Sequence, residues 1–298
     1  MENKVVNSSY GRMEFAEKAR DMTHMHMTAP TQFVEANGIR FAYRRFGIET
    51  GVPLLFMQHF RGGMDHWDPM VTDGFARDRP VILFDNAGVA SSSGKTPDTF
   101  DAMSDYAAGF VDALGLSQID LLGFSIGGLV AQAFTLRHPS LVRHLLLVGT
   151  GPRAGQPTQD PKVKQHMETS DPSLDDFLYL FFARSASSQA KGREFWERRH
   201  LRKKDVDPLT SPQTMEAQIA AIMEWSQVKG EPFAELESII QPTLVVNGSN
   251  DVMVPTVNSF TLSQHIPNAQ LIVYPDSGHA SLFQYPELFL SHARIFLN

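Results

Sequence analysis

Short apolar runs alternate with amphipathic stretches along most of the chain from Thr31 onward. The apolar runs predict buried β-strands because polar or turn-forming residues bound each of them, and the amphipathic stretches predict helices. Asn37-Gly38 between the first two runs predicts a β-hairpin turn. The predicted strands are 32–35, 39–46, 53–57, 80–84, 119–122, 145–148, 242–246 and 271–274, and the predicted helices between them are 101–114, 126–137, 257–265 and 287–296.

This alternation is typical of βαβ units and predicts an α/β fold with a mostly parallel sheet. The opening hairpin adds antiparallel strands at one edge. In open sheets of this kind the ligand site lies beyond the carboxyl ends of the strands. We therefore expect the functional residues in the loops that follow positions 57, 84, 122, 148, 246 and 274.

Residues 151–241 interrupt the alternation, since they hold helical patterns at 173–182, 190–202 and 212–228 without a convincing strand. We interpret this segment as a helical cap inserted into the sheet domain. The predicted α/β core then covers 31–150 and 242–298. Residues 1–30 form a predicted N-terminal extension, either an arm on a partner subunit or a loosely ordered tail, with a short helical pattern at 14–20.

A candidate nucleophile lies in Gly123-Phe124-Ser125-Ile126-Gly127, which fits the pattern G-x-S-x-G. The pentamer alone is weak, but a predicted strand precedes it and a predicted helix follows it. That setting places a serine on a strained turn, where a side chain on either flanking residue would collide with the strand or helix. The alternative is a serine that only caps a buried helix. We predict that Ser125 is a nucleophile and that the Ile126 amide faces developing negative charge.

A serine nucleophile needs a base, and of eleven histidines only His279 directly follows the last predicted strand. The orienting acid should follow another strand and lie between serine and histidine in chain order. Asp251 meets both conditions, which gives the order Ser125, Asp251, His279. The rival acid Asp276 lies only three residues before His279, a spacing that makes its geometry doubtful.

The chain resembles the α/β-hydrolase superfamily over residues 33–298. The resemblance lies in three segments: the serine turn, the Asn247-to-Asp251 turn and the Ser277-Gly278-His279 loop. The resemblance implies an eight-stranded sheet flanked by helices, a lid, and acyl-enzyme chemistry without a cofactor or metal. Within the superfamily the chain looks most like the branch of enol-lactone hydrolases, cofactor-free haloperoxidases and C–C bond hydrolases. Counted back from Trp67, the family pattern assigns the second oxyanion-hole amide to Phe60.

The loop after the strand 53–57 departs from the family, because Gln-His-Phe replaces the usual His-Gly-x. His59 is either a polar contact or second acid in the pocket, or a histidine hydrogen-bonded beneath the loop. Arg61 either meets a substrate carboxylate or is solvated or ion-paired. Phe124, Phe181 and Trp225 are candidates for an apolar pocket wall, and packing of cap on core is the alternative for each. The basic run 193–204 is interpreted as a solvated helix face.

Composition narrows the function further. The chain has 298 residues and no cysteine, which excludes disulfides, thiolate catalysis and Cys-based zinc sites. A net charge of −7 argues against a nucleic-acid partner. With no apolar run long enough to span a bilayer and no apolar leader at the N-terminus, we expect a cytoplasmic protein without a membrane partner. The sequence leaves open whether the protein forms a homodimer. His24 and His26 are only weak candidates for metal ligands.

A serine at the turn excludes mechanisms that need an aspartate nucleophile there. The predicted function is hydrolysis of a carboxylic ester or lactone of a small, partly apolar substrate through a Ser-His-Asp triad and an acyl-enzyme. Cofactor-free haloperoxidase or perhydrolase activity, or C–C bond hydrolysis, remains open on the same triad. A non-catalytic ligand receptor with the hydrolase fold is the third alternative.

Overall fold

The computed structural model describes residues 24–169 and 172–298. Their centre is an eight-stranded sheet in the order β1-β2-β4-β3-β5-β6-β7-β8. β1 pairs with β2 and β2 with β4 in antiparallel orientation, whereas every other neighbouring pair is parallel. The predicted α/β-hydrolase architecture is therefore confirmed. The strands are β1 (Gln32–Ala36), β2 (Ile39–Gly47), β3 (Leu54–Met57), β4 (Pro80–Phe84), β5 (Ile119–Phe124), β6 (Val142–Val148), β7 (Thr243–Gly248) and β8 (Ala269–Tyr274).

The central strands could be recognised from sequence because both of their faces are covered. Every residue of β3, β4, β5 and β7 is buried, and such strands appear as nearly continuous apolar runs. β1 at the edge keeps mostly exposed or half-exposed residues. The parallel strands bring their carboxyl ends to one side of the sheet, which is where the candidate residues follow β3, β5, β7 and β8.

Eleven α-helices occur in the part of the chain that the structure describes. The sequence did not predict α2, which begins at Pro69 with Asp68 as its N-cap accepting from the Met70 amide at 2.9 Å. Seven of its eight residues are buried, so no polar face marked it as an amphipathic helix. The helices are α1 (Met25–Thr28), α2 (Pro69–Ala76), α3 (Phe100–Ala113), α4 (Ile126–Arg137), α5 (Lys162–Met167), α6 (Leu174–Phe181), α7 (Ala186–Arg199), α8 (Pro212–Trp225), α9 (Val257–His265), α10 (Ser281–Gln284) and α11 (Pro286–Leu297).

The segment 151–241, called the helical segment below, carries α5 to α8 between β6 and β7. It is fastened to the loop after β3 by a reciprocal pair. The Asp65 amide donates to Asp207 Oδ2 at 2.8 Å, and the Asp207 amide donates to Asp65 Oδ2 at 2.6 Å. Buried Arg44 on β2 donates to both carboxylates. The helical segment and this loop are thereby joined through a buried ionic network. The division of the chain into core and cap stays a prediction.

Residues 24–30 were expected in an extension outside the core, but the structure packs them against it, with His26 and Ala29 buried. The His26 amide donates to Asp73 Oδ1 at 2.7 Å, and the fully buried His26 ring lies 2.9 Å from Thr72 Oγ1 through Nδ1. Arg202 donates to the His26 and Ala29 carbonyls at 2.8 and 2.7 Å. A helix of only four residues leaves too short a pattern to predict. The expected helix at 14–20 lies outside the described residues.

Candidate active site

Ser125 occupies the turn between β5, which ends at Phe124, and α4, which begins at Ile126. Its backbone has φ 58° and ψ −124°, a strained conformation for a residue with a side chain. The Ser125 amide donates to the Val148 carbonyl of the neighbouring strand at 2.9 Å, which holds the turn in place. Strain of this kind often accompanies a functional side chain that the fold must present at a fixed position.

The two glycines of the turn are required by close backbone approach. A Cβ on Gly123 would lie 2.4 Å from the Gly127 carbonyl oxygen, and one on Gly127 would lie 2.1 Å from the Met57 carbonyl oxygen. Both distances are shorter than real Cβ contacts, so any larger residue would force the strand and helix apart. This is the steric reason that the sequence pattern predicted.

His279 and Asp251 form a buried pair. His279 Nδ1 lies 2.8 Å from Asp251 Oδ2, and neither side chain is exposed to solvent. The ionised carboxylate can only accept, so the neutral imidazole carries its proton on Nδ1 and leaves Nε2 with a lone pair. Asp251 Oδ1 accepts from the Met253 and Val254 amides, each at 2.9 Å, which fixes the carboxylate. Among the described residues His279 Nε2 has no hydrogen-bond partner, so it is available as a base.

Asp276, the rival acid, is turned toward the helical segment instead. Its Oδ2 accepts from the Ser185 and Ser187 hydroxyls at 2.7 and 2.6 Å. These hydrogen bonds lower the pKa of the Asp276 carboxyl. Asp251, and not Asp276, is the carboxylate bonded to His279.

The loop after β3 leaves one amide without an acceptor. The His59 amide donates to Gln58 Oε1 at 2.7 Å, and the Arg61 amide donates to Gln218 Oε1 on α8 at 2.8 Å. Between them, the Phe60 amide has no acceptor within residues 24–169 and 172–298. Because both neighbouring amides are occupied, Phe60 is the residue of this stretch that can donate to a ligand. The amides on both sides of the predicted donor are thus occupied, and that of Phe60 is not.

His59 lies beneath the loop and also reaches the wall of a cavity. Its Nδ1 donates to the Phe60 carbonyl at 2.8 Å, so Nε2 is the unprotonated nitrogen of the neutral ring. Burial lowers the pKa of His59 to about 3, which keeps the ring neutral. The structure therefore shows the second alternative for His59, a histidine hydrogen-bonded beneath the loop. The neutral ring also keeps Nε2 as a hydrogen-bond acceptor.

Arg61 is also held by the helical segment. Its backbone is left-handed with φ 60°, its carbonyl accepts from the Thr210 hydroxyl at 2.8 Å, and its Nη1 donates to the Thr169 carbonyl at 2.7 Å. The side chain lines the same cavity as His59. Arg61 is therefore an anchored part of the cavity wall.

A cavity of about 310 Å³ opens over Ser125. It is lined by Phe60 from the loop after β3, by Phe177 and Phe181 from α6, and by Arg199 from α7. The Phe177 and Phe181 rings are stacked with centroids 4.0 Å apart. The surface of the wall is mainly apolar, with charged and imidazole side chains among the aromatic ones, and the cavity has space for a small organic molecule.

The remaining two candidates for the pocket are placed differently. Phe124 is fully buried behind the cavity, with its ring centroid 5.1 Å from that of His279 and 5.9 Å from that of Phe181. Trp225 does not line the cavity, because it packs on Phe100 at 5.6 Å and under the Arg153 guanidinium at 4.0 Å. Phe124 supports the site from behind, and Trp225 belongs to the packing of α8 on the sheet domain.

Sequence reasoning missed several residues around the site, among them Gln218 and Arg199. Gln218 carries no motif, and its role depends on a contact with a residue 157 positions away. Arg199 lies in the basic run that was interpreted as a solvated face, but it turns inward and its Nη1 is buried. The aromatic residues near Arg199 were the only signal in the sequence that this face could be enclosed.

Over residues 24–169 and 172–298, no three His, Asp or Glu side chains converge as metal ligands. Across the same ranges no helix combines the length and apolarity that a membrane span requires.

Comparison with known proteins agrees with this fold. Residues 52–286 match the family described as alpha/beta hydrolase fold. A pimeloyl-(acyl-carrier protein) methyl ester esterase of Nitrosomonas europaea is 30% identical over 233 residues, 76% of this chain and 87% of the esterase. A 2-hydroxymuconate semialdehyde hydrolase of Pseudomonas sp. strain CF600 is 28% identical over 266 residues, 88% of this chain and 92% of the hydrolase. An alpha/beta hydrolase fold protein from Chitinophaga pinensis has a TM-score of 0.85 at 41% identity, covering 92% of this chain and 98% of that one. The chain therefore belongs to the α/β-hydrolase family.

Proposed function

We propose that the protein is a serine hydrolase that cleaves a carboxylic ester or lactone of a small, partly apolar substrate. The observation that carries the proposal is the buried His279–Asp251 pair at 2.8 Å, which leaves His279 Nε2 as a base. Ser125, on a strained turn at the carboxyl end of β5, supplies the hydroxyl. Serine, histidine and aspartate each follow a different strand of one parallel sheet, the arrangement in which this kind of triad assembles.

The reaction follows from the roles that these atoms can take. Ser125 Oγ adds to the substrate carbonyl while His279 Nε2 accepts the hydroxyl proton. The amides of Phe60 and Ile126 stabilise the oxyanion of the tetrahedral intermediate. His279 then protonates the leaving alkoxide, and an acyl group remains on Ser125. Water, deprotonated by His279, attacks the acyl-enzyme, and His279 gives the proton to Ser125 Oγ as the C–O bond to the serine breaks and the acid is released.

The size and lining of the cavity support a small substrate. A volume of about 310 Å³ falls within the range of small-ligand sites, and Phe60, Phe177 and Phe181 give it an apolar wall. An aromatic wall also lowers the local dielectric, which strengthens the hydrogen bonds that the two amides make to an oxyanion.

A panel of 4-nitrophenyl esters and simple lactones tests the proposal. Wild type is expected to turn over at least one member, and Ser125→Ala is expected to lose that turnover. Ser226→Ala is the matched control, because Ser226 is exposed and its hydroxyl bonds to the Met223 carbonyl and the Gln227 side chain. Turnover that survives in Ser125→Ala, or no turnover of any ester or lactone by wild type, counts against the proposal.

Carbon–carbon bond hydrolysis by the same residues is the second candidate. The likeness to the 2-hydroxymuconate semialdehyde hydrolase favours it. A vinylogous 1,5-diketone added to the panel separates the two activities, because an ester hydrolase will leave that compound intact.

A further inference from the structure

Arg199, at the end of α7, presents an unsatisfied cation to the cavity above Ser125. Its Nη1 is buried and has no hydrogen-bond partner in the part of the chain that the structure describes. The nearby arginines differ. Arg198 pairs with Asp68 at 2.6 Å, and Arg202 donates to the carbonyls of His26 and Ala29. A buried guanidinium N–H without an acceptor is costly, so this position needs an explanation.

Three aromatic rings hold the Arg199 guanidinium in place. Its Cζ lies 5.0 Å from the ring centroid of Phe177, 4.9 Å from that of Trp196 and 6.0 Å from that of Phe195. Ring faces attract the charge of the guanidinium, but they do not replace acceptors in the plane of its N–H groups. The rings therefore orient Arg199 while leaving its hydrogen-bonding edge unsatisfied.

The charges around Arg199 do not neutralise it. Burial lowers the pKa of Arg199 to about 10, so the group is still a cation at neutral pH. Burial, followed by the charge of Arg199, also lowers the pKa of His66, which is therefore neutral. Of the nearby carboxylates, Asp65 is ion-paired with Arg44, and Asp176 is bonded to His166 and Ser173. A positive charge in an apolar wall favours a negatively charged ligand.

We propose that Arg199 binds a carboxylate of the substrate, so that the enzyme acts on esters or lactones of acids that carry a second carboxyl group. This inference rests on the proposed function. A single planar guanidinium suits a carboxylate, because it offers two parallel N–H donors and neutralises one charge. A phosphate dianion would leave uncompensated charge against the aromatic wall.

We expect the acyl chain of such a substrate to follow two stacked rings of the cavity wall. Phe177 contacts Arg199 at one end and stacks on Phe181, whose ring centroid lies 5.4 Å from that of His279 at the other end. Two stacked phenyl rings thus separate the cation from the base. A substrate that reaches both Arg199 and Ser125 must span these rings, so its chain length decides whether both contacts form.

Matched ester pairs test the inference. Monoethyl succinate, glutarate and adipate are compared with ethyl butanoate, pentanoate and hexanoate, which have the same chain lengths but end in a methyl group. We expect wild type to favour the charged member of at least one pair by about tenfold or more in kcat/KM, the size of a charge-assisted hydrogen bond. Arg199→Met is expected to bring that ratio close to one. Arg199→Lys, which keeps the charge without the planar fork, should retain part of the preference.

Arg193→Met is the matched control, because Arg193 is an exposed residue of the same helix. It should keep the wild-type ratio. A wild type that prefers the neutral member of every pair, or a preference that is the same in Arg199→Met, overturns the inference.

A binding measurement distinguishes failure of this inference from failure of the proposed function. Adipate is titrated calorimetrically into Ser125→Ala and into Ser125→Ala/Arg199→Met, with circular dichroism to check folding. We expect affinity to fall about tenfold or more when Arg199 is replaced. If no ester is hydrolysed but this Arg199-dependent binding is present, only the proposed function fails. If neutral esters are hydrolysed and adipate binding does not depend on Arg199, only the inference fails.

Discussion

Gln218 Oε1 accepts a hydrogen bond from the Arg61 amide over 2.8 Å, across 157 residues of chain. The Thr210 hydroxyl donates to the carbonyl of the same residue, whose φ of 60° places it in the left-handed region. The helical segment therefore holds both backbone groups of the residue that directly follows Phe60. The orientation of the Phe60 amide, the proposed oxyanion donor, depends on these two contacts.

Replacement of Gln218 should consequently impair catalysis more than substrate binding. In Gln218→Leu the Arg61 amide loses its acceptor, and a buried donor left unsatisfied costs on the order of 1–3 kcal/mol. We expect the loop to shift and kcat to fall about tenfold, with little change in KM, because the oxyanion is formed only in the transition state. Steady-state kinetics on an ester from the panel measures this.

The control is Gln227→Leu, a change at an exposed glutamine near the end of the same helix. It should leave both parameters unchanged. A rise in KM at constant kcat in Gln218→Leu would assign Gln218 to substrate binding instead.

The choice of acid can be tested by two asparagine variants. Asp251→Asn keeps the size of the side chain but no longer fixes the proton on His279 Nδ1, so the imidazole can adopt the tautomer that cannot act as a base. We expect kcat to fall roughly 10³- to 10⁴-fold, as for other triads of this type. Asp276→Asn removes only contacts to Ser185 and Ser187 and should change kcat by less than about twofold. Equal losses in the two variants would contradict the assignment.

Asp73 should make stability depend on pH. Burial raises the pKa of its carboxyl from 3.8 to about 6, although it accepts from the His26 amide. Because the folded-state pKa is the higher one, the folded protein binds the proton more tightly, and this stabilisation disappears as pH rises through 6. Relative to Asp73→Asn, which keeps an acceptor but does not titrate, wild type should lose about 2 kcal/mol of unfolding free energy between pH 4.5 and 7.5.

Urea unfolding of both proteins at the two pH values measures this difference. The lowered pKa of His26 contributes in the opposite direction in both proteins, so it cancels in the comparison. Asp98→Asn, at an exposed position, is the control and should track wild type at both pH values. A difference between wild type and Asp73→Asn that does not vary with pH would show that Asp73 titrates normally.

Much of the fold could be predicted because the central strands are covered on both faces and therefore form apolar runs in the sequence. The candidate catalytic residues could be found because they lie in loops that follow these strands. Ser125, Asp251 and His279 lie in the turns and loops that follow three apolar runs, so local sequence was enough to select them as candidates. The helix α2 could not be predicted in this way, because burial on nearly all sides removes the polar face on which the pattern depends.

The residues that the helical segment contributes were harder to predict for a different reason. Periodicity tells which face of a helix is apolar, but not which surface that face meets. Trp225 was therefore expected in the pocket and instead packs on Phe100, while Arg199 was expected in solvent and instead lines the cavity. Contacts between distant parts of the chain, such as Gln218 with Arg61, leave no local trace in the sequence.

In the proposed mechanism, Ser125 is a nucleophile that His279 activates. Intact-protein mass spectrometry after exposure to a fluorophosphonate measures this directly, since the reagent adds covalently to an activated serine. We expect wild type to gain the mass of one adduct, which peptide mapping places on Ser125, and His279→Gln to be labelled far more slowly. A wild-type protein that stays unlabelled, or an adduct on any other serine, would contradict the account.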